Sequence, residues 1–114
     1  MKEQEILVKE TTEELNTYLP KMINGIENFV EYVMQSKEQD AQKLLPVIFE
    51  GLEWIAQAIY LKNRIKQGTM KEQELVEKLP LLIDAYENRD FILISDILDY
   101  EIKPILEKWI HRIH

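Results

Sequence analysis

Leu45-Pro46-Val47-Ile48-Phe49-Glu50-Gly51-Leu52-Glu53-Trp54 has two imperfect copies elsewhere in the chain. They are Leu19-Pro20-Lys21-Met22-Ile23-Asn24-Gly25-Ile26-Glu27-Asn28 and Leu79-Pro80-Leu81-Leu82-Ile83-Asp84-Ala85-Tyr86-Glu87-Asn88. In each, a proline follows leucine, a small residue comes five positions later (Gly25, Gly51, Ala85) and a glutamate seven later (Glu27, Glu53, Glu87). A fainter fourth copy, Lys103-Pro104-Ile105-Leu106-Glu107-Lys108-Trp109, keeps the proline and the apolar pair.

Around the copies the apolar residues step by fours and threes: Leu15, Leu19, Met22, Ile26, Phe29, Val33; then Leu45, Ile48, Leu52, Ile55, Ile59; then Leu75, Leu79, Leu82, Tyr86. That spacing lays one apolar stripe along an amphipathic helix packed in a bundle. The stripe runs through Pro20, Pro46 and Pro80, so these prolines are expected inside helices. With the stripe at heptad positions a and d, each proline falls at b, on the outer face. The carbonyls that lose a donor, on Asn16, Gln42 and Val76, then lie where water satisfies them and the helix bends around the core. Gly25, Gly51 and Ala85 fall at g, beside the seam, where a neighbouring backbone can come close. Glu27, Glu53 and Glu87, with His111 at the matching offset, suggest a metal site, but the same count points the glutamates outward. No metal and no cofactor are expected.

The 114 residues make one domain, long enough to bury a core, with residues 1–10 either an arm or an extension of the first helix. Hydrophobic residues at 46% and charged residues at 31% suit a soluble globular chain. The absence of cysteine excludes disulfides and thiolate chemistry. The opening Lys2-Glu3-Gln4-Glu5 is not a signal-peptide pattern and no apolar run approaches membrane-spanning length, so a cytoplasmic location is expected. The net charge is −7, and no segment is strongly basic: even residues 37–69 carry only five Lys/Arg against four Asp/Glu. Neither nucleic acid nor a membrane surface is an expected partner.

Capping boxes at Thr11/Glu14, Ser36/Gln39 and Thr69/Glu72 divide the chain, with Gly68 as a left-handed helix end and Asp90 as a further cap. Helices are expected over about 12–35, 37–66, 70–88 and from Phe91 to near the C-terminus. Short connections between long helices make neighbours antiparallel, giving an all-α, up-down-up-down four-helix bundle with proline-kinked helices.

The second and fourth helices carry more apolar surface than one seam requires. Val47, Trp54 and Leu61 recur seven apart, near Gly51 and Ala58. The fourth has Ile94, Leu98, Ile102, Ile105 and Trp109 in one line and Ile97, Leu106, Ile110 and Ile113 in much of another. Either these two helices form the central pair, or the excess is an exposed groove or dimer face. On the second view the partner-binding residues are Val47, Trp54, Tyr60, Leu61, Leu106, Trp109 and Ile113.

Catalytic patterns are sparse. The histidines, His111 and His114, close the chain, no glutamate stands three residues before either, and the three glycines are scattered. Ser36 and Ser95 have no histidine near in sequence, and no histidine follows an arginine by five positions. Paired acids (Glu50 with Glu53, Glu87 with Asp90, Asp96 with Asp99) resemble those with which all-helical nucleotide pyrophosphohydrolases hold magnesium against a triphosphate. The spacing between the pairs departs from that family's, and Glu53 falls on the outer face. Leu45–Trp54 and Asp96–Trp109 resemble stretches in short, uncharacterised helical proteins of Gram-positive bacteria, a likeness of packing residues over about half the chain. In size and acidity the chain is also similar to small helical export chaperones such as those of flagellar systems.

The expected function is therefore a non-enzymatic protein–protein interaction module, an adaptor or chaperone-like bundle. It would bind a protein partner or a second copy of itself through apolar faces of the second and fourth helices. The alternative is a magnesium-dependent nucleotide pyrophosphohydrolase built on the acidic pairs.

Overall fold

The stripes that predict helices are the residues that pack. The computed structural model describes residues 2–111, which hold no strand and form a four-helix bundle about 51 Å long and 20 Å across. The first two arms are single helices, α1 (Lys2–Met34) and α2 (Glu38–Ile65), with Pro20 and Pro46 inside them and exposed. The third arm is two pieces, α3 (Glu72–Val76) and α4 (Leu79–Glu87). The fourth runs without a break through α5 (Phe91–Asp96), a π-helical segment (Ile97–Ile102) and α6 (Lys103–Ile110). The core joins Leu15, Leu19, Ile26 and Phe29 of α1 to Leu45, Ile48, Leu52, Ile55 and Ile59 of α2, and to Leu75, Leu82, Ile94, Leu98, Ile102, Leu106 and Trp109.

The third and fourth prolines behave differently from the first two. The helix expected to continue through Pro80 stops at Glu77-Lys78 and restarts, so Pro80 stands in the first turn of α4, where its missing N–H takes nothing from the ladder. Pro104 stands in the first turn of α6, directly after the π segment and with no break before it. The π segment before it has a reason in the spacing. Ile94, Leu98, Ile102 and Leu106 are all fully buried and four apart, and on an α-helix each such step overshoots the turn by about 40°. A π turn, bonded i to i+5, absorbs one extra residue and returns the row to the core. Leu106, not the expected Ile105, thus continues the buried line.

Both turns at one end of the bundle use a left-handed residue that is not glycine. Ser36 (φ 60°) donates its backbone N–H to Val33 O and Lys37 donates to Tyr32 O; Arg89 (φ 51°) and Asp90 repeat this with Tyr86 O and Ala85 O. This is the Schellman closure of a helix C-terminus. Ser36 therefore ends α1 instead of capping α2, and the expected Ser36/Gln39 box does not form: Lys37 is the N-cap, with no side-chain bond. Asp90 does cap α5, its Oδ1 accepting the Leu93 N–H at 3.0 Å.

At the other end Gly68 is not left-handed. Asn63 orders that loop: its Oδ1 accepts from Gly68 N (3.1 Å) and its Nδ2 donates to Met70 O (2.8 Å). Lys71, not Thr69, is the N-cap of α3, and Glu72 accepts from Asn63. Residues 2–10 extend α1, so Thr11 lies inside the helix and the Thr11/Glu14 box is absent. Thr12 instead donates back to Val8 O at 2.7 Å. Among the described residues no side chain before Leu15 is buried.

α1, and not the expected pairing of the second and fourth helices, is the centre of the bundle. It packs along α2 and against every piece of the fourth arm, whereas α2 otherwise packs closely only on α3. An 18-residue window of α2, interrupted by Glu50 and Glu53, is by length and composition apolar enough to cross a membrane. Of that window 44% is buried inside the bundle.

Candidate docking site

The backbone of α2 lies close to α1 and α3 but less close to α4. The rings of Phe49 and Tyr86 bridge α2 and α4, meeting edge to face at 5.4 Å. Next to that bridge lies a groove of about 380 Å³. Buried Leu45 and Leu82 form its floor, half-buried Phe49 and Leu79 its sides, and Ile83 (52% exposed) and Tyr86 (47%) its outer wall. Pro46, Glu50 and Glu53 border it on the α2 side. The apolar lining offers contact area without a reactive group. The two carboxylates give one edge a negative charge, which favours a cationic neighbour.

The residues expected to bind a partner separate into three sets. Val47 (61% exposed) and Leu61 (57%) are open to solvent. Trp54, between them and half-buried, stacks edge to face on Tyr18 of α1 at 5.3 Å. Tyr60 is exposed about 100° further round the helix, its hydroxyl accepting from Arg64 Nη1 at 3.0 Å. Leu106 and Trp109 are fully buried in the core and are not surface anchors. The π turn aims both at α1, and the indole Nε1–H of Trp109 finds no acceptor among the described residues. Ile113, like His114, lies outside the described residues.

Phe49 and Ile83 lie off the apolar stripes, and Tyr86 falls on the third, where the spacing predicts core; none of the three is among the expected partner-binding residues.

The acidic pairs do not converge. Glu50 and Glu53 line the groove, Asp90 caps α5, and Asp99 bonds Lys103 at 2.9 Å, with Glu27 at 3.6 Å from the same ammonium. Glu27, Glu53 and Glu87 are all exposed. Among the described residues no three His, Asp or Glu side chains are placed to hold a metal ion. His111 is exposed at the end of α6.

Among curated proteins and among solved structures nothing matches this chain. Over residues 10–112, nearly its whole length, it matches the model of a family described as a domain of unknown function (DUF8042), and it belongs to that family.

Proposed function

We propose that the protein is a non-enzymatic interaction module whose groove between α2 and α4 receives the apolar face of an amphipathic helix from a partner protein. The observation that supports this is the groove itself: exposed Ile83 and Tyr86 facing Phe49 over an apolar floor, with Glu50 and Glu53 along one edge. Isolated exposed apolar residues are ordinary, but several around one concavity favour an apolar occupant. A helix inserting two or three apolar side chains spaced by threes and fours, with Lys or Arg beside them, complements both lining and edge. The likeness to short Gram-positive proteins and the acidic composition support reading it as a bacterial cytoplasmic protein.

The test is a photo-reactive residue at position 83 in cells, with cross-linked peptides identified by mass spectrometry. Helical segments carrying Lys or Arg beside their apolar face are expected, lost on Tyr86→Ser and weakened by Glu50→Lys with Glu53→Lys. Magnesium-dependent release of pyrophosphate from a nucleoside triphosphate, abolished by Glu50→Gln, would overturn the proposal and make the groove edge catalytic.

A further inference from the structure

On the opposite flank of α2 a second apolar line is only partly covered in the monomer. Val47, Trp54, Ala58, Leu61 and Ile65 follow one another at helical spacing. Beside them two adjoining hollows of about 500 Å³ and 170 Å³, both lined by Glu14 and Trp54, run between α1 and α2. Ala58 is buried, Trp54 and Ile65 are half-covered by α1, and Leu61 and Val47 are open, as is Leu7 of α1 across the hollow. The seam from Val47 to Ile65 is about 27 Å long.

The charges along its two banks are opposite. On the α1 bank Glu10, Glu13 and Glu14 line the hollows; on the α2 bank Lys62 lines the second, and Lys66, one turn further on, lines a neighbouring hollow with Glu5 of α1. Between Glu53 and Glu72 the chain has no acidic residue at all. Although the banks are neighbours, no ion pair joins them among the described residues; every ion pair found involves the third or fourth arm. Partial burial, and then repulsion from Lys66, lower the pKa of Lys62, as befits an ammonium with no ion pair among the described residues.

A surface with an apolar midline, an acidic bank and a basic bank is complementary to itself. We infer that this α1–α2 face binds a second copy of the chain, about a twofold axis running along the seam. Such an axis lays the α1 bank of each copy on the α2 bank of its partner, antiparallel, so the Glu10 and Glu14 carboxylates of one meet the Lys62 and Lys66 ammoniums of the other. The four helices brought together form a second bundle, with Trp54 and Leu61 of both copies inside. A two-helix face about 27 Å long and about 20 Å wide approaches the roughly 800 Å² per partner of a stable interface once side-chain relief is counted. This face is separate from the α2–α4 groove, which stays open in the dimer.

The test is sedimentation equilibrium on the full chain and on two charge variants. The wild type is expected to dimerise. Lys62→Glu with Lys66→Glu makes both banks acidic, and Glu10→Lys with Glu14→Lys makes both basic. Each is expected to weaken self-association by about tenfold or more, and an equimolar mixture to restore the dimer. Leu61→Glu, at an exposed position, is expected to give a monomer with unchanged helical circular dichroism. A monomeric wild type, a mixture that stays monomeric, or a dimer indifferent to all these changes would overturn the inference. Tyr86→Ser leaves the dimer intact on this view, so loss of partner capture at the groove and loss of self-association are separately visible.

Discussion

The two halves of the bundle carry the same Leu-Pro repeat and resolve it in opposite ways. In α1 and α2 the prolines sit in mid-helix and the helices run on; in the second half the chain breaks before Pro80 and goes through a π turn before Pro104. The difference lies in what each helix packs against. α1 and α2 are paired along their length, and their uninterrupted apolar stripes hold both sides of the proline in place. The third arm has few buried residues before its proline, only Leu75 and its neighbour Met70, too little to hold a helix together across a missing hydrogen bond. Proline tolerance here is a property of the partner helix as much as of the sequence around the proline.

The sharpest way to break this comparison is to remove one residue from each half. Deletion of Glu50, exposed in α2, turns Leu52, Ile55 and Ile59 about 100° away from the core; all three are fully buried, and the loss should exceed about 5 kcal/mol and unfold the chain. Deletion of the equally exposed Tyr100 falls in the π segment. It leaves Ile94, Leu98, Ile102, Leu106 and Trp109 at spacings of four, three, four and three, which an ordinary α-helix holds on one face. That variant should still unfold cooperatively in urea, with a loss no greater than the ~3 kcal/mol of a proline now inside a helix. If both deletions unfold the protein, the π turn does not hold an inserted residue.

A smaller effect separates the prolines themselves. Pro46→Ala restores a donor to Gln42 O within α2 and should stabilise by about 1–3 kcal/mol, whereas Pro80→Ala, in a first turn, should change stability by less than about 0.5 kcal/mol. Equal effects in thermal unfolding would mean that the interrupted third arm has some cause other than its proline.

The small residues five positions after each proline show how far sequence carried the fold. Their place beside the seam was legible at Gly51, where a methyl group would run into Met22 Cε and the Tyr18 hydroxyl, and at Ala85, which is buried. At Gly25 nothing lies within 4 Å of the same position. Helical pitch assigned the face but not which faces a neighbour covers, because that depends on the lengths of the other arms. Pitch alone likewise does not show the π turn that buries Leu106 and Trp109 or the exposure of Tyr86, while the α1 and α2 stripes, matched along their length, were legible from Leu15 to Ile59. Gly25→Ala should therefore stabilise by about 1 kcal/mol through helix propensity. Gly51→Ala gains the same propensity but must displace Met22 and the Tyr18 ring that holds Trp54, and should fall at least ~1 kcal/mol below it.

The smallest contrast is electrostatic. No ion pair joins α1 to α2 among the described residues, whereas Lys78–Glu101 (3.0 Å) and Lys108–Glu74 (2.6 Å) tie the third arm to the fourth, and Lys103 bridges Asp99 and Glu27. Each partly exposed pair should contribute about 0.2–1 kcal/mol, so molar salt should weaken the second half selectively. Lys103 gives this a pH signature. Its hydrogen bond to Asp99, reinforced by the charges of Asp99, Glu27 and Glu107, raises its pKa above the ordinary 10.5 against the opposing effect of burial. A raised value in the folded state means the folded protein holds this proton more tightly than the unfolded chain. The contribution is therefore full below pH 10.5 and is lost as pH rises through the folded value. The difference in urea midpoint between wild type and Lys103→Met should be constant from neutral pH to about pH 10 and then close. A difference that persists above the folded value would assign the role of Lys103 to packing by its aliphatic stem and not to its charge.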